Sequence, residues 1–292
     1  MIKASCFGEI LWDVFPTHKK IGGAPLNVAV RLASMGNEVS IISRIGKGKK
    51  GVKLIDFLLK NDVDTSGIQI DTEYKTGKVK VTLDEKGSAS YDIMQPRAWD
   101  KIELTDTAVE LVKASDFFIY GSLASRDETS RATLYELLKV AKYKIFDVNL
   151  RQPYYTKEVL EYLMSQADFI KFNDDEIYEI AGLLGSTSHS FDQTILFIAE
   201  KTNAKCICVT RGSQGAVLYL DETFFYNSGY QVDVVDTVGA GDSFLATIIN
   251  KLMNKSNPQE AIDHACAIGA LVASREGANP KIDKIDIINL IG

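Results

Sequence analysis

Histidine, cysteine and proline are scarce in this chain of 292 residues, with 3, 4 and 6 copies. The cysteines, Cys6, Cys206, Cys208 and Cys266, are scattered and never take a CxxC spacing. That excludes a disulfide framework and a zinc knuckle, and makes a reducing cytoplasm the expected location. Long apolar runs are missing too. The longest, at 117–120 and 195–199, fall far short of the roughly 20 residues a membrane helix needs. Glu9 and Asp13 interrupt the apolar residues near the start, so no secretion signal is read there. A strong positive charge is also absent. With 33 Lys and Arg against 39 Asp and Glu the net charge is −6, which argues against a nucleic-acid surface. Hydrophobic residues make up 46%, enough for a sizeable core and too many for a disordered chain.

Apolar runs at 39–42, 117–120, 145–148, 169–172 and 206–210 read as strands, each followed by a stretch of helical periodicity. Residues 25–35 carry Leu26, Val30 and Ala33 on one side and stop at Gly36. Residues 52–60 put Leu54, Ile55, Leu58 and Leu59 on one face. Such alternation predicts an α/β fold with a mostly parallel sheet covered by helices, its ligands beyond the carboxyl ends of the strands. Residues 74–91 break the rhythm. They alternate apolar and polar residues, turn at 85–87 and resume, which predicts an antiparallel hairpin acting as a lid or as a simple sheet edge. No linker and no repeat is visible. A single domain over 1–292 is expected, with an inserted β lid at about 12–20 and 71–97.

Two motif matches fail on context. Gly46, Gly48 and Gly51 spell GxGxxG with Asp64 downstream, but three lysines occupy the turn where a dinucleotide site packs small residues. Asp62, Asp64, Ser66, Gly67 and Glu73 match calcium-loop spacing, yet an alternating strand follows where a helix is required. A third match holds. In DTVGAGDSFLATII at 236–249, Gly239, Ala240 and Gly241 leave their N–H groups accessible ahead of an apolar helix, a ready anion hole. Asp242 then falls in the first turn. It serves either as a helix-start carboxylate or as a base accepting the proton of an attacking hydroxyl. In IGGAPLNVA, Gly22 and Gly23 admit a ligand to the backbone, and Asn27 offers donor and acceptor to the hydroxyls of a polyol. Asp13 is either an acceptor for two sugar hydroxyls or a surface turn.

These residues resemble the ribokinase/PfkB carbohydrate kinases. Gly22, Gly23, Asn27, Ala29, Gly36 and Gly46 are similar to the family's first signature, and Asp236, Thr237, Gly239, Ala240, Gly241 and Asp242 to its second. DVNLR at 147–151, NDDE at 173–176 and TRGSQG at 210–215 extend the likeness through the middle. Thr247 departs from the small residue usual in the second signature.

The resemblance implies a ribokinase-like three-layer α/β/α sandwich with a small β lid, and an ATP-dependent kinase in which Asp242 is the catalytic base and 239–241 the anion hole. It also implies that Asn173 and Glu176 organise Mg²⁺ through water and the nucleotide phosphates, although the pair equally suits a helix capping box. It places Thr210, Gly212 and Gly215 at the nucleotide, Arg151 near phosphates or substrate, and Asn279 by the adenine and a monovalent cation. Lys281 departs from the small polar residue often found nearby. The branch resembled is fructokinase, with Tyr91 and Arg97 as lid contacts to the sugar. The alternatives are ribose, 2-keto-3-deoxygluconate or another ketose as acceptor, or a catalytically silent sugar-sensing paralogue. Packing of the lid's apolar face implies a homodimer.

Overall fold

Continuous apolar runs, buried on both faces, set most strands of the main sheet, and glycine or a capping side chain bounds most helices. The computed structural model describes residues 1–83, 89–188 and 190–292. The turn expected at 85–87 lies outside the described residues. Two compact units are formed, one from residues 1–118 with 124–142, the other from 119–123 with 143–292.

The first unit runs β1 (Lys3–Phe7), β2 (Leu11–Val14), β3 (Lys19–Gly22), α1 (Ala24–Ser34), β4 (Glu38–Gly46), α2 (Lys49–Lys60), β5 (Val63–Asp64), β6 (Ile68–Asp71), β7 (Gly77–Leu83), β8 (Ala89–Ile93) and α3 (Asp106–Ala114). It then takes the first residues of β9 (Phe117–Gly121) and all of α4 (Glu128–Val140). β1, β5 and β6 all pair with β4 in parallel. A separate small sheet has the order β3-β2-β7-β8. β2 runs antiparallel to β3 but parallel to β7, while β7 and β8 form the expected antiparallel pair. α1 is buried from Pro25 through Leu32, so it is a core helix. α2 buries only Gly51, Leu54 and Leu58. Leu59, expected on the same face, is 56% exposed, because the i, i+3, i+7 stripe that faces inward excludes it.

The second unit continues with β10 (Lys144–Asp147), α5 (Lys157–Gln166), β11 (Phe169–Asn173), α6 (Asp174–Leu183), α7 (Phe191–Thr202), β12 (Cys206–Thr210), β13 (Ala216–Leu220), β14 (Thr223–Asn227), α8 (Ala240–Met253), α9 (Pro258–Ala273) and α10 (Lys284–Ile291). β10, β11 and β12 are parallel neighbours. The helix expected after β12 is instead a hairpin. β13 and β14 pair antiparallel on that edge, because 216–227 places aliphatic and aromatic residues on both sides of a turn with left-handed Asp221 and Glu222. No helix among the described residues is long and apolar enough to cross a membrane.

Candidate active site

Parallel pairing in the second unit gathers polar residues at the carboxyl ends of three strands. In register, Asp147 at the end of β10 faces Lys171 of β11, and Asn173 at the end of β11 faces Thr210 at the end of β12. Lys171 donates to Asp147 Oδ1 at 2.8 Å, with side chains only 7% and 6% exposed. Burial works against a charge on Lys171. The nearby carboxylates of Asp147, Glu176 and Asp242 outweigh it and raise the lysine well above its ordinary value, so it stays an ammonium. Asp147 Oδ2 is buried without a hydrogen-bond partner.

Asn173 and Glu176 form a capping box at the start of α6. Glu176 N donates to Asn173 Oδ1 at 2.8 Å, and Asn173 N donates to Glu176 Oε2 at 2.9 Å. Glu176 does more than cap, because its Oε1 accepts from Leu150 N at 2.8 Å and so ties down the loop after β10. Burial, helped by Asp147, pushes the Glu176 carboxyl up against the opposing pull of Lys171 and the two amides. Among the described residues no cluster of three His, Cys, Asp or Glu side chains could cage a metal ion. The donors do suit a hydrated Mg²⁺. Each Glu176 oxygen keeps a lone pair beside its amide bond, Asp147 Oδ2 is unused, and Mg²⁺ ordinarily keeps several waters beside one or two carboxylates and a phosphate.

Gly239 opens α8 in the left-handed conformation, φ 79°, and lies so close to Ala278 that an added β-carbon would fall 2.6 Å from its Cα. Only glycine makes that turn without strain. Ala240, Gly241 and Asp242 follow as the first helical turn, where free N–H groups and the dipole favour negative charge. Lys171 Nζ lies 3.8 Å from the point a β-carbon on Gly241 would occupy, so the buried ammonium stands beside that turn. A cavity of about 260 Å³ adjoins it. Thr210, Gly212, Gly215, Thr237, Ala240 and Gly241 line one part, and Val232, Val234, Phe244, Cys266, Ala270 and Ala273 make it largely apolar. Arg151 is exposed and donates to Leu150 O at 2.7 Å. Asn279 follows Ala278, the residue packed on Gly239, while Lys281 extends toward Asp283 at 3.1 Å.

In the first unit, Gly22 is registered opposite Leu11 in the small sheet, and a side chain on Gly22 would collide with the Asp13 carboxylate. Gly23 caps α1, and Asn27 is buried in the first turns of that helix. Tyr91, 57% exposed, shares the sheet face of Val81. Arg97 lines a cavity with five lysines. Two of the GKGKKG glycines serve packing: a β-carbon on Gly46 would fall 2.5 Å from Thr76 N, and one on Gly51 2.6 Å from Gly46 O, while Gly48 sits in open space with φ +144°.

Sequence reading missed Lys171 and Asp147. The signal was present as a lone lysine inside the apolar run FIKF, since a buried charge needs a partner.

Residues 2–285 match the family described as pfkB family carbohydrate kinase. The chain is 30% identical over 313 residues to the probable fructokinase-7 of Arabidopsis thaliana, an alignment covering 97% of this chain and 90% of that protein. Among solved structures, an uncharacterized sugar kinase from Pyrococcus horikoshii superposes with TM-score 0.85 at 26% identity, covering 99% of each chain. The same enzyme in complex with ATP gives 0.83 at 27% identity, covering 94% of this chain and 93% of that one.

Proposed function

This chain belongs to the pfkB family of carbohydrate kinases and is a phosphotransferase acting on a sugar hydroxyl, and from that premise we propose that it transfers the γ-phosphoryl of ATP to the 6-hydroxyl of D-fructose. The observation that carries the reading is the turn of Gly239 into α8, which sets Asp242 in the first helical turn beside an apolar cavity and a buried ammonium. The fructose assignment draws on the relatives named fructokinase, and the choice of ATP on the nucleotide in the Pyrococcus horikoshii complex.

Asp242 accepts the hydroxyl proton, and the N–H groups of 239–241 receive the charge that develops on the transferring phosphoryl. Lys171 adds a fixed positive charge beside that turn, held ionised by Asp147. The apolar cavity takes the nucleotide base, with Thr210, Gly212 and Gly215 along its rim. Asn173, Glu176 and Asp147 would hold hydrated Mg²⁺, which when bound neutralises phosphate charge. Asn279 and the carbonyls around it would hold a monovalent cation. Asp13, Gly22, Gly23, Asn27 and Tyr91 bind the sugar, Arg151 meets its phosphate, and the small sheet serves as the lid of a single catalytic domain. Two copies join through that sheet, which light scattering at micromolar concentration tests by mass.

An ADP-release assay over hexoses, pentoses and keto acids tests the acceptor. Fructose should give the highest kcat/KM, and a preference of tenfold or more for another acceptor overturns the fructose assignment.

A further inference from the structure

The lysines of GKGKKG are not used in the chemistry above, and the first unit gathers them. Lys47, Lys49 and Lys50 at the start of α2, Lys75 and Lys78 around the start of β7, and Arg97 line a cavity of about 470 Å³, with Gly48, Thr76 and Met94 completing it. Among the described residues no carboxylate lines it. The volume suits a small molecule. Trp12 Nε1 donates to Lys50 O at 3.2 Å, which pins the α2 start to β2. Met94 N donates to Lys78 O at 3.2 Å, and across the other edge of β7 Lys78 is registered opposite Trp12.

Several observations show that positive charge is concentrated here among the described residues. Lys50 is held below the ordinary lysine value by burial and by the surrounding Lys19, Lys78, Arg97 and Lys75. Arg97 Nε is buried and has no hydrogen-bond partner. α2 is 12 residues long, has no acidic residue in its first turn and no side-chain cap, so its leading amides add to the positive field. Each cation raises the free energy of the others until an anion enters.

Sheet register separates this cavity from Asp13, Gly22 and Tyr91, while Arg97, expected beside the sugar, lines the cavity. Lys78 is registered opposite Trp12, and Asp13 opposite Val79. Successive side chains alternate faces, so Lys78 and Asp13 lie on opposite faces of the small sheet. We infer that this cavity is a second ligand site, for a small molecule bearing a phosphate group, which ties the start of α2 to β7 behind the sugar-facing surface. Phosphate fits better than a lone carboxylate, since its near-double charge and several acceptor oxygens can meet cations arriving from three chain segments. The inference does not depend on which sugar is phosphorylated.

Calorimetric titration with inorganic phosphate tests it, using the wild type, the variant Lys50→Gln/Lys75→Gln/Lys78→Gln, and the control Lys113→Gln/Lys139→Gln/Lys157→Gln. The first variant should bind at least about tenfold more weakly, with the control unchanged. Equal affinity in all three, which would place the phosphate at 239–241 or elsewhere, overturns the inference, as does the absence of saturable binding. Should the first variant fail to fold, acetylation footprinting of the wild type decides. Phosphate should protect Lys50, Lys75 and Lys78 relative to Lys113, and equal labelling with and without phosphate contradicts the site.

Discussion

Lys171 Nζ lies 2.8 Å from Asp147 Oδ1, a registered pair on neighbouring parallel strands and almost wholly buried. Removing one member leaves an uncompensated buried charge, which costs about 3–5 kcal/mol. Lys171→Met should therefore lower the urea midpoint strongly, and Asp147→Leu/Lys171→Met should recover much of that loss. A double variant no more stable than the single one contradicts the pairing argument. The pH dependence follows from the raised lysine value. Its stabilising contribution is fully present below the unfolded value of about 10.4 and is lost only as pH rises through the higher folded value. The stability gap between wild type and Lys171→Met should stay flat through neutral pH and close only in strong alkali.

Gly239 and Gly241 should respond differently to alanine. At Gly239 the left-handed backbone costs about 1–2 kcal/mol for any other residue, and the β-carbon collides with Ala278. Gly239→Ala should lose roughly a hundredfold in kcat/KM through the displaced turn, in addition to stability. At Gly241 the nearest atom outside the helix is the flexible end of Lys171 at 3.8 Å. Gly241→Ala should keep its thermal stability to within about 1 kcal/mol, since alanine is the better helix former. Equal loss of stability in both variants would refute this account of the turn.

Asp71 links β6 to β4 and to the loop before β7. Burial would raise its carboxyl, but the amides of Tyr74 and Glu73 at 2.6 and 2.7 Å, with Arg44 at 2.6 Å, hold it below the usual carboxylate range. A depressed value stabilises above the unfolded value of about 3.9, and that contribution disappears as pH falls through the folded value. Asp71→Asn should cost about 1–3 kcal/mol at neutral pH, shrinking below about pH 4. A gap in unfolding free energy that persists unchanged into strong acid would contradict the assignment.

Much of the architecture was legible because its signals are local. The runs around Cys206 and Phe169 could hardly be anything but buried strands, and the small residues at 239–241 announced a tight turn into α8. The β13–β14 hairpin was missed because a strand followed by another apolar stretch reads as βα until the left-handed turn at Asp221 and Glu222 is seen. Leu59 was misplaced because a helix's apolar residues outnumber those its neighbours can cover. The lone lysine in FIKF signalled a buried charge, but its pairing with Asp147 was not legible: 24 residues separate them, and only strand register sets them side by side. The opposite placement of Asp13 and Lys78 likewise depends on pairing rather than on either segment alone.

Asp242 is the residue on which the kinase mechanism turns. The most direct measurement is the steady-state rate of fructose-dependent ADP release in the wild type and in Asp242→Asn, alongside the affinity of each for ADP. Loss of the base should lower kcat by about 10²–10⁴ while nucleotide affinity changes little. A variant that retains kcat within threefold, or a wild type that releases no ADP with any sugar offered, would contradict the account.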